Sequence, residues 1–149
     1  MTVAIVIVSY NSGELLDRCL AALSEQTCKP DRILVVDNAS SDPATLSLLA
    51  TLDNAEVIYS DVNLGYGAAI NSAAENLTDI DYLCSLNPDA FPEPRWLENL
   101  MIAALRNPEY GSFAPLMLKA NLPHIIDGAG DLLHISGIPW RRYHGVQLG

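Results

Sequence analysis

The sequence predicts an α/β fold, a mostly parallel sheet flanked by helices with a short mixed β extension at its C-terminal end. Three observations carry that prediction. The first 110 residues alternate short β-branched runs with longer segments of helical period, the pattern of βαβ units. The first run, Val3 to Val8, is too uniformly apolar to have a wet face and so belongs at the centre of a sheet covered on both sides. Beyond Gly111 the texture changes to short apolar pieces punctuated by glycines, which reads as a hairpin or an added strand.

Each element follows in order. After the Val3 to Val8 strand, Leu15, Leu16, Cys19, Leu20 and Leu23 recur at helical spacing, with Asn11 and Glu14 placed as a capping box. Ile33 to Val36 is the second strand. The polar loop Asp37 to Asp42 then ends in a helix-start signal, Ser41 or Asp42 as cap and Pro43 in the first turn, and Leu46, Leu49, Ala50 and Leu52 carry that helix inward. Val57 to Tyr59 is a short third strand, followed by a helical segment over Ala68 to Leu77. A fourth strand covers Tyr82 to Leu86 and stops at Asn87-Pro88-Asp89, where the proline drives its predecessor out of the helical region. The last helix starts near Pro94, turns Trp96, Leu97, Leu100, Met101, Ala104 and Leu105 toward a core, and ends at Asn107-Pro108. The division expected is a ligand-binding α/β domain over 1–110 and the start of a second region over 111–149.

Composition narrows the class. A chain of 149 residues, half of them hydrophobic, buries enough surface to fold without disulfides, and 18 acidic against eight basic side chains give a net charge of −10. That balance argues against nucleic acid as a partner. No apolar run approaches the roughly 20 residues a spanning helix requires, and no basic segment precedes Val3, so neither a membrane span nor a signal peptide is expected. Three cysteines without C-x-x-C spacing, Cys19 and Cys84 within core-like stretches, read as free thiols of a cytoplasmic protein. His124, His134 and His144 recur every ten residues, a spacing that neither helix nor strand brings together.

In an open α/β sheet, ligands bind outside the carboxyl ends of the strands. Four loops end there: Ser9-Tyr10-Asn11, Asp37 to Asp42, Asn63-Leu64-Gly65-Tyr66-Gly67, and Asn87-Pro88-Asp89. They bring carboxylates, amides and glycine backbone to one edge, and no Lys or Arg. A carboxylate 4 Å from a phosphate oxygen repels it by about 4 kcal/mol at an effective dielectric of 20. An anionic ligand at this edge therefore calls for a cation from solution, and hard oxygen ligands suit Mg²⁺ or Mn²⁺.

In order and spacing, these four segments resemble the inverting family 2 glycosyltransferases of GT-A fold, especially the rhamnosyltransferase-like branch. The matching stretches are Val6 to Ser12, Val35 to Asp42, Asn63 to Asn71 and Leu86 to Asp89. The resemblance implies that Ser9, Tyr10 and Asn11 border a nucleotide pocket and that Asp37 contacts the base or ribose with Asn38 beside it. It implies that Asn63, Gly65 and Asn71 pack against the ribose and diphosphate side. Asn87-Pro88-Asp89 stands where the family has its D-x-D motif, with Asp89 as the metal carboxylate and Asn87 in place of the first acid. The implied activity is transfer of a sugar such as rhamnose from a dTDP- or UDP-linked donor to a cell-surface glycan or lipid-linked acceptor, with inversion, in the cytoplasm or peripherally at the inner face of the membrane.

One departure qualifies that implication. The family places its general base in a later acidic motif, often Glu-Asp, and no such dipeptide occurs here. Asp127 and Asp131 are the only late acids and read as turn residues. The chain is therefore expected to be a donor-binding portion, truncated or encoded short, which leaves open a nucleotide-sugar-binding fragment without turnover and exposed apolar surface inviting self-association. Gly65-x-Gly67 nearly forms a dinucleotide fingerprint, but Ile70 occupies its third small position and the strand before it is the third. Tyr66 either stacks on a base or sugar or is an ordinary exposed aromatic. Arg141, Arg142 and His144 either reach donor or acceptor or belong to a frayed terminus.

Overall fold

The computed structural model describes residues 1–149. Its elements run β1 Val3–Ser9, α1 Gly13–Ser24, β2 Arg32–Asp37, α2 Pro43–Thr51, β3 Glu56–Tyr59, α3 Tyr66–Ala74, β4 Tyr82–Leu86, α4 Trp96–Arg106, β5 Met117–Lys119, β6 Leu122–Gly128, β7 Asp131–Leu133 and β8 Pro139–Arg141. The chain divides into two compact units, Met1–Leu97 and Glu98–Gly149.

In the first unit, β1 to β4 form one parallel sheet in the order β3-β2-β1-β4. The central position of β1 follows from its sequence: all seven residues are buried, as an uninterrupted apolar strand requires. The two-residue side-chain period divides that burial between faces. Ala4, Val6 and Val8 with Leu34 and Val36 pack against Ala69, Ala73 and Leu77, so small residues let α3 sit close to the sheet. On the opposite face lie Ile5, Ile7 and Val35, while α1 buries Leu16, Cys19, Leu20 and Leu23.

Several expected side-chain placements fail for definable reasons. Leu15 is 40% exposed, because the buried stripe of α1 is the narrower set at positions 16, 19, 20 and 23. In α2 only Thr45 and Leu49 are buried; Leu46 and Ala50 face outward, since a nine-residue helix on the sheet's flank buries a single row. Leu105 is likewise exposed at the end of α4. Cys84 is half-buried rather than core because β4 is an edge strand. Of the two caps offered for α2, Asp42 is the one used, with Pro43 at the first helical position. Asn11 and Glu14 form no capping box: α1 starts after Ser12, which makes no side-chain capping bond.

α1 and α2 meet at their N-terminal ends through Gly13. Its N–H donates to Thr45 Oγ1 at 2.8 Å, and a Cβ there would lie 2.9 Å from the Thr45 nitrogen and 3.1 Å from the Ala44 carbonyl carbon. Buried Gln26 fastens the end of α1 to the segment before α4. Its Nε2 donates to the carbonyls of Ala22, Pro92 and Glu93, and its Oε1 accepts from Leu97 N–H.

In the second unit the extension is antiparallel: β5 pairs with β6, and β7 with β8. Asp127 and Asp131 lie in strands rather than turns, Asp127 within β6 and Asp131 opening β7. The tail is not frayed. Ile126 N–H bonds Val146 O, Gly145 N–H bonds Ile126 O and Leu148 N–H bonds His124 O, so residues 145–148 run alongside β6 as a further backbone ladder. Arg141 forms an ion pair with Asp127, and His144 Nδ1 lies 2.8 Å from the Asp127 carbonyl oxygen. No helix of the chain is long and apolar enough to cross a membrane.

Candidate functional site

Parallel strands in register place their carboxyl ends side by side. Ser9 pairs with Asp37 and Asp37 with Tyr59, while β4 pairs Leu86 with Ile7, so all four loops leave from one edge of the first unit's sheet. The order of the strands reverses beside β1, with β2 and β3 on one side and β4 on the other. Such a switch point is where open α/β sheets leave a crevice.

Asp37 sits at the centre of this edge and is only 3% exposed. One carboxylate oxygen accepts the Ser40 N–H at 3.2 Å. The other has no partner within the chain, yet no sealed side-chain oxygen of this protein lacks one, so that oxygen must be reachable from solvent. A nearly buried carboxylate with one open acceptor is suited to the N–H or O–H donors of a base or ribose.

The neighbouring polar residues are largely committed to one another. Ser9 is fully buried, its hydroxyl 2.7 Å from that of Ser12. Asn11, at φ 50°, turns its side-chain oxygen onto Ser41 N–H and Asp42 N–H at 2.8 and 3.0 Å, and its own N–H donates to Ser40 Oγ at 3.0 Å. Asn38 is buried: its Nδ2 donates to Asn63 Oδ1 at 2.9 Å and its Oδ1 accepts Leu64 N–H at 2.8 Å. Ala39 adopts a left-handed conformation at φ 65°, an uncommon state for a residue with a side chain. Ser9, Asn11 and Asn38 therefore shape the edge, whereas Tyr10, Asn63, Gly65, Tyr66 and Asn71 are exposed on it.

On the other side of β1, the Asn87 carbonyl accepts the Ala90 N–H at 3.1 Å, closing a turn that holds Asn87 and Asp89 exposed. Two residues of α1 that the motifs do not mark support this turn. The buried Cys19 thiol donates to the Asn87 carbonyl at 3.7 Å, and the Arg18 guanidinium lies 4.2 Å from the centre of the Phe91 ring. The four loops themselves contain no cation, but α1 brings one to the segment that carries Asp89. Burial first, and the Asp89 carboxylate second, push the Cys19 thiol up to about 12. No signal in a single sequence links Arg18 or Cys19 to a loop some seventy residues later.

The chain by itself offers an incomplete metal site. No three His, Cys, Asp or Glu side chains come together in an arrangement that would hold an ion, and the three histidines are not gathered. Asp89 is a single exposed carboxylate with the Asn87 amide two residues away. That donor set fits Mg²⁺ or Mn²⁺ only where the remaining ligands are substrate phosphates and water, which is a usual way of holding Mg²⁺.

Comparison with known proteins agrees with this geometry. The profile of Glycosyl transferase family 2 matches residues 4–119. The chain belongs to that family. It is 32% identical over 123 residues to the N-acetylglucosaminyl-diphospho-decaprenol L-rhamnosyltransferase of Mycobacterium tuberculosis, covering 76% of this chain and 40% of that protein. It is also 32% identical over 91 residues to the O-antigen chain rhamnosyltransferase RfbN of Salmonella typhimurium, covering 60% of this chain and 29% of the relative. The family 2 chain thus spans less than half the length of these curated relatives. Among solved structures, S. aureus TarS superposes with a TM-score of 0.63 at 19% identity, over 79% of this chain and 24% of TarS. Its 1–349 form in complex with UDP superposes with a TM-score of 0.60 at 20% identity, over 82% of this chain and 43% of that one. These likenesses establish the GT-A fold: a mostly parallel sheet flanked by helices, with short antiparallel strands after it.

Proposed function

We propose that the carboxyl edge of the sheet binds the nucleoside diphosphate of a sugar donor. In this reading the chain serves inverting transfer of a sugar such as rhamnose, from dTDP or UDP, to a glycan or lipid-linked acceptor. The observation that carries the proposal is the pair of carboxylates flanking β1: Asp37, nearly buried with one open oxygen, and Asp89, exposed on its turn. Asp37 would receive donors of the base or ribose. Leu64 to Gly67, at the entry to α3, and Asn71 would line the diphosphate side. Asp89, with the Asn87 side-chain oxygen, would hold Mg²⁺ or Mn²⁺ against the diphosphate. The ion would supply positive charge to a leaving group that the acidic edge otherwise repels. Two relatives are rhamnosyltransferases, which supports the sugar class, and the diphospho-decaprenol in the name of one of them supports a lipid-linked acceptor.

Inverting transfer needs a carboxylate that takes the proton of the acceptor hydroxyl as it attacks opposite the leaving diphosphate. Asp127 is already engaged by Arg141, and Asp131 lies across the β7–β8 ladder from the same arginine. That engagement favours a second reading for the 149-residue chain taken alone, nucleotide-sugar binding without turnover. Calorimetry with dTDP and UDP, with and without Mn²⁺, tests the first reading: binding that Asp89→Ala weakens about tenfold or more supports it, and a wild type that binds neither nucleotide ends it. Hydrolysis or transfer of a sugar nucleotide by this chain alone excludes the second.

A further inference from the structure

The Asn38 and Asn63 side chains form a clasp whose geometry is more specific than contact with a nucleotide would require. Asn38 is 3% exposed at the end of β2, and every polar group of its side chain faces the protein. Its backbone N–H is fixed to Ser9 O at 2.8 Å, its Nδ2 donates to Asn63 Oδ1 at 2.9 Å, and its Oδ1 accepts Leu64 N–H at 2.8 Å. Asn63 Oδ1 also accepts Gly65 N–H at 2.9 Å, so a single oxygen serves two donors.

The segment held in this way has little else to order it before α3 begins at Tyr66. Residues 61–68 are all exposed, and Gly65, at φ 77°, and Gly67 have no atom within 4 Å of where a Cβ would stand. Gly65 precedes α3 and, lacking a side chain, gives it no side-chain cap, and α3 is anchored to the core further along, by Ala69 and Ala73. Glycine-rich, exposed backbone gains conformational freedom as soon as its tethers are lost. Two of the three tethers come from Asn38, the residue next to Asp37, and the third from Asn63 itself.

We infer that Asn38 and Asn63 are positioning residues, which hold the 63–67 loop in its nucleotide-competent place beside Asp37 and themselves touch no ligand. The inference rests on the nucleotide-binding reading above and deepens it. A donor that meets an unclasped loop finds only a fraction of molecules competent, and its apparent affinity falls by that fraction. The loss then belongs to association, whereas removal of a direct contact appears chiefly in dissociation. The two asparagines also act as one unit, so their losses do not multiply.

The test uses the whole chain and the variants Asn38→Ala, Asn63→Ala and the double variant, with UDP and dTDP as probes. Asn63 is exposed, so its alanine variant keeps the experiment readable even where Asn38→Ala folds poorly. Stopped-flow binding is expected to show each single variant about tenfold weaker, with the change in association rate, and the double variant also about tenfold weaker. Hydrogen exchange without nucleotide is expected to speed up at the Leu64 amide in Asn38→Ala and at the Gly65 amide in Asn63→Ala, with Gly65 protection restored by Asn63→Asp. A double variant about a hundredfold weaker, a loss confined to dissociation, or unchanged exchange overturns the clasp while the nucleotide site stands. A wild type that binds neither nucleotide overturns both.

Discussion

At the scale of single residues, burial governs chemistry at Cys19 and packing governs choice at Gly13. The thiolate is the reactive form of cysteine, and with its thiol pushed up to about 12 Cys19 carries almost none at neutral pH. Cys28 is only half-buried. Iodoacetamide at pH 8 is therefore expected to alkylate Cys28 while leaving Cys19 intact until denaturant is added, as peptide mass spectrometry would read; labelling of both at one rate would contradict the placement of Cys19 beneath the Asn87 turn. Gly13→Ala improves intrinsic helix propensity and is nonetheless expected to destabilise the fold by about 1–3 kcal/mol, because the added Cβ meets backbone atoms of Ala44 and Thr45 that cannot turn aside. Equilibrium urea unfolding decides the sign. Neither residue announces its partner in the sequence. Nothing in the local sequence marks Gly13 as the partner of Thr45, or Gln26 as the partner of Leu97.

At the scale of elements, what the sequence revealed was whatever depended on local pattern. β1 and β2 were legible because unbroken β-branched runs suit a doubly covered strand, and α2 because Asp42-Pro43 is a helix start in its own right. The capping box at Asn11 failed because its oxygen is drawn to the amides of Ser41 and Asp42, thirty residues away and invisible to local spacing. The order of the four site loops was likewise visible, but not the division of labour that turns Asn38 inward and leaves Asp37 one open oxygen. The cap of α2 carries its own pH signature. The Thr45 hydroxyl, assisted by the N–H groups of Thr45 and Ala44, holds the Asp42 carboxyl below the usual carboxylate range. A folded-state value lower than the unfolded one means that the cap stabilises the fold above the ordinary carboxylate pKa and ceases to do so as pH falls through the folded value. Asp42→Ala is accordingly expected to melt a few degrees below wild type at pH 7, with the gap narrowing in melting curves as pH falls below the ordinary carboxylate range. A gap independent of pH would assign the loss to something other than the ionised cap.

At the scale of the molecule, surface and charge set two expectations. Large apolar side chains are exposed along β4 and through the second unit, among them Leu83 at 40%, Leu133 at 76% and Trp140 at 53%. Exposed apolar area of this kind favours association, and light scattering is expected to show a mass that rises with protein concentration; a strictly monomeric mass would argue that these residues are too scattered to pair. The net charge of −10 sets the second. Acidic surface attracts divalent cations diffusely, but diffuse attraction is screened beyond about 8 Å at physiological salt and fixes no ion at a defined place. With Asp89 as its one carboxylate at the site, the chain alone cannot complete the coordination shell of Mn²⁺, whereas a diphosphate adds two or more oxygens to it. On the proposed role of Asp89, metal and nucleotide are linked: each raises the affinity for the other by the same factor, since a coupling free energy is reciprocal. Calorimetry in 0.15 M salt is expected to find no saturable Mn²⁺ site without nucleotide, one site per chain with saturating UDP or dTDP, and a matching increase in nucleotide affinity when Mn²⁺ is present. Asp89→Ala should abolish the coupling and leave a weak, metal-independent affinity that belongs to the Asp37 side of the edge. Tight Mn²⁺ binding to the free chain, or equal nucleotide affinity with and without the ion, would show that Asp89 does not join the two.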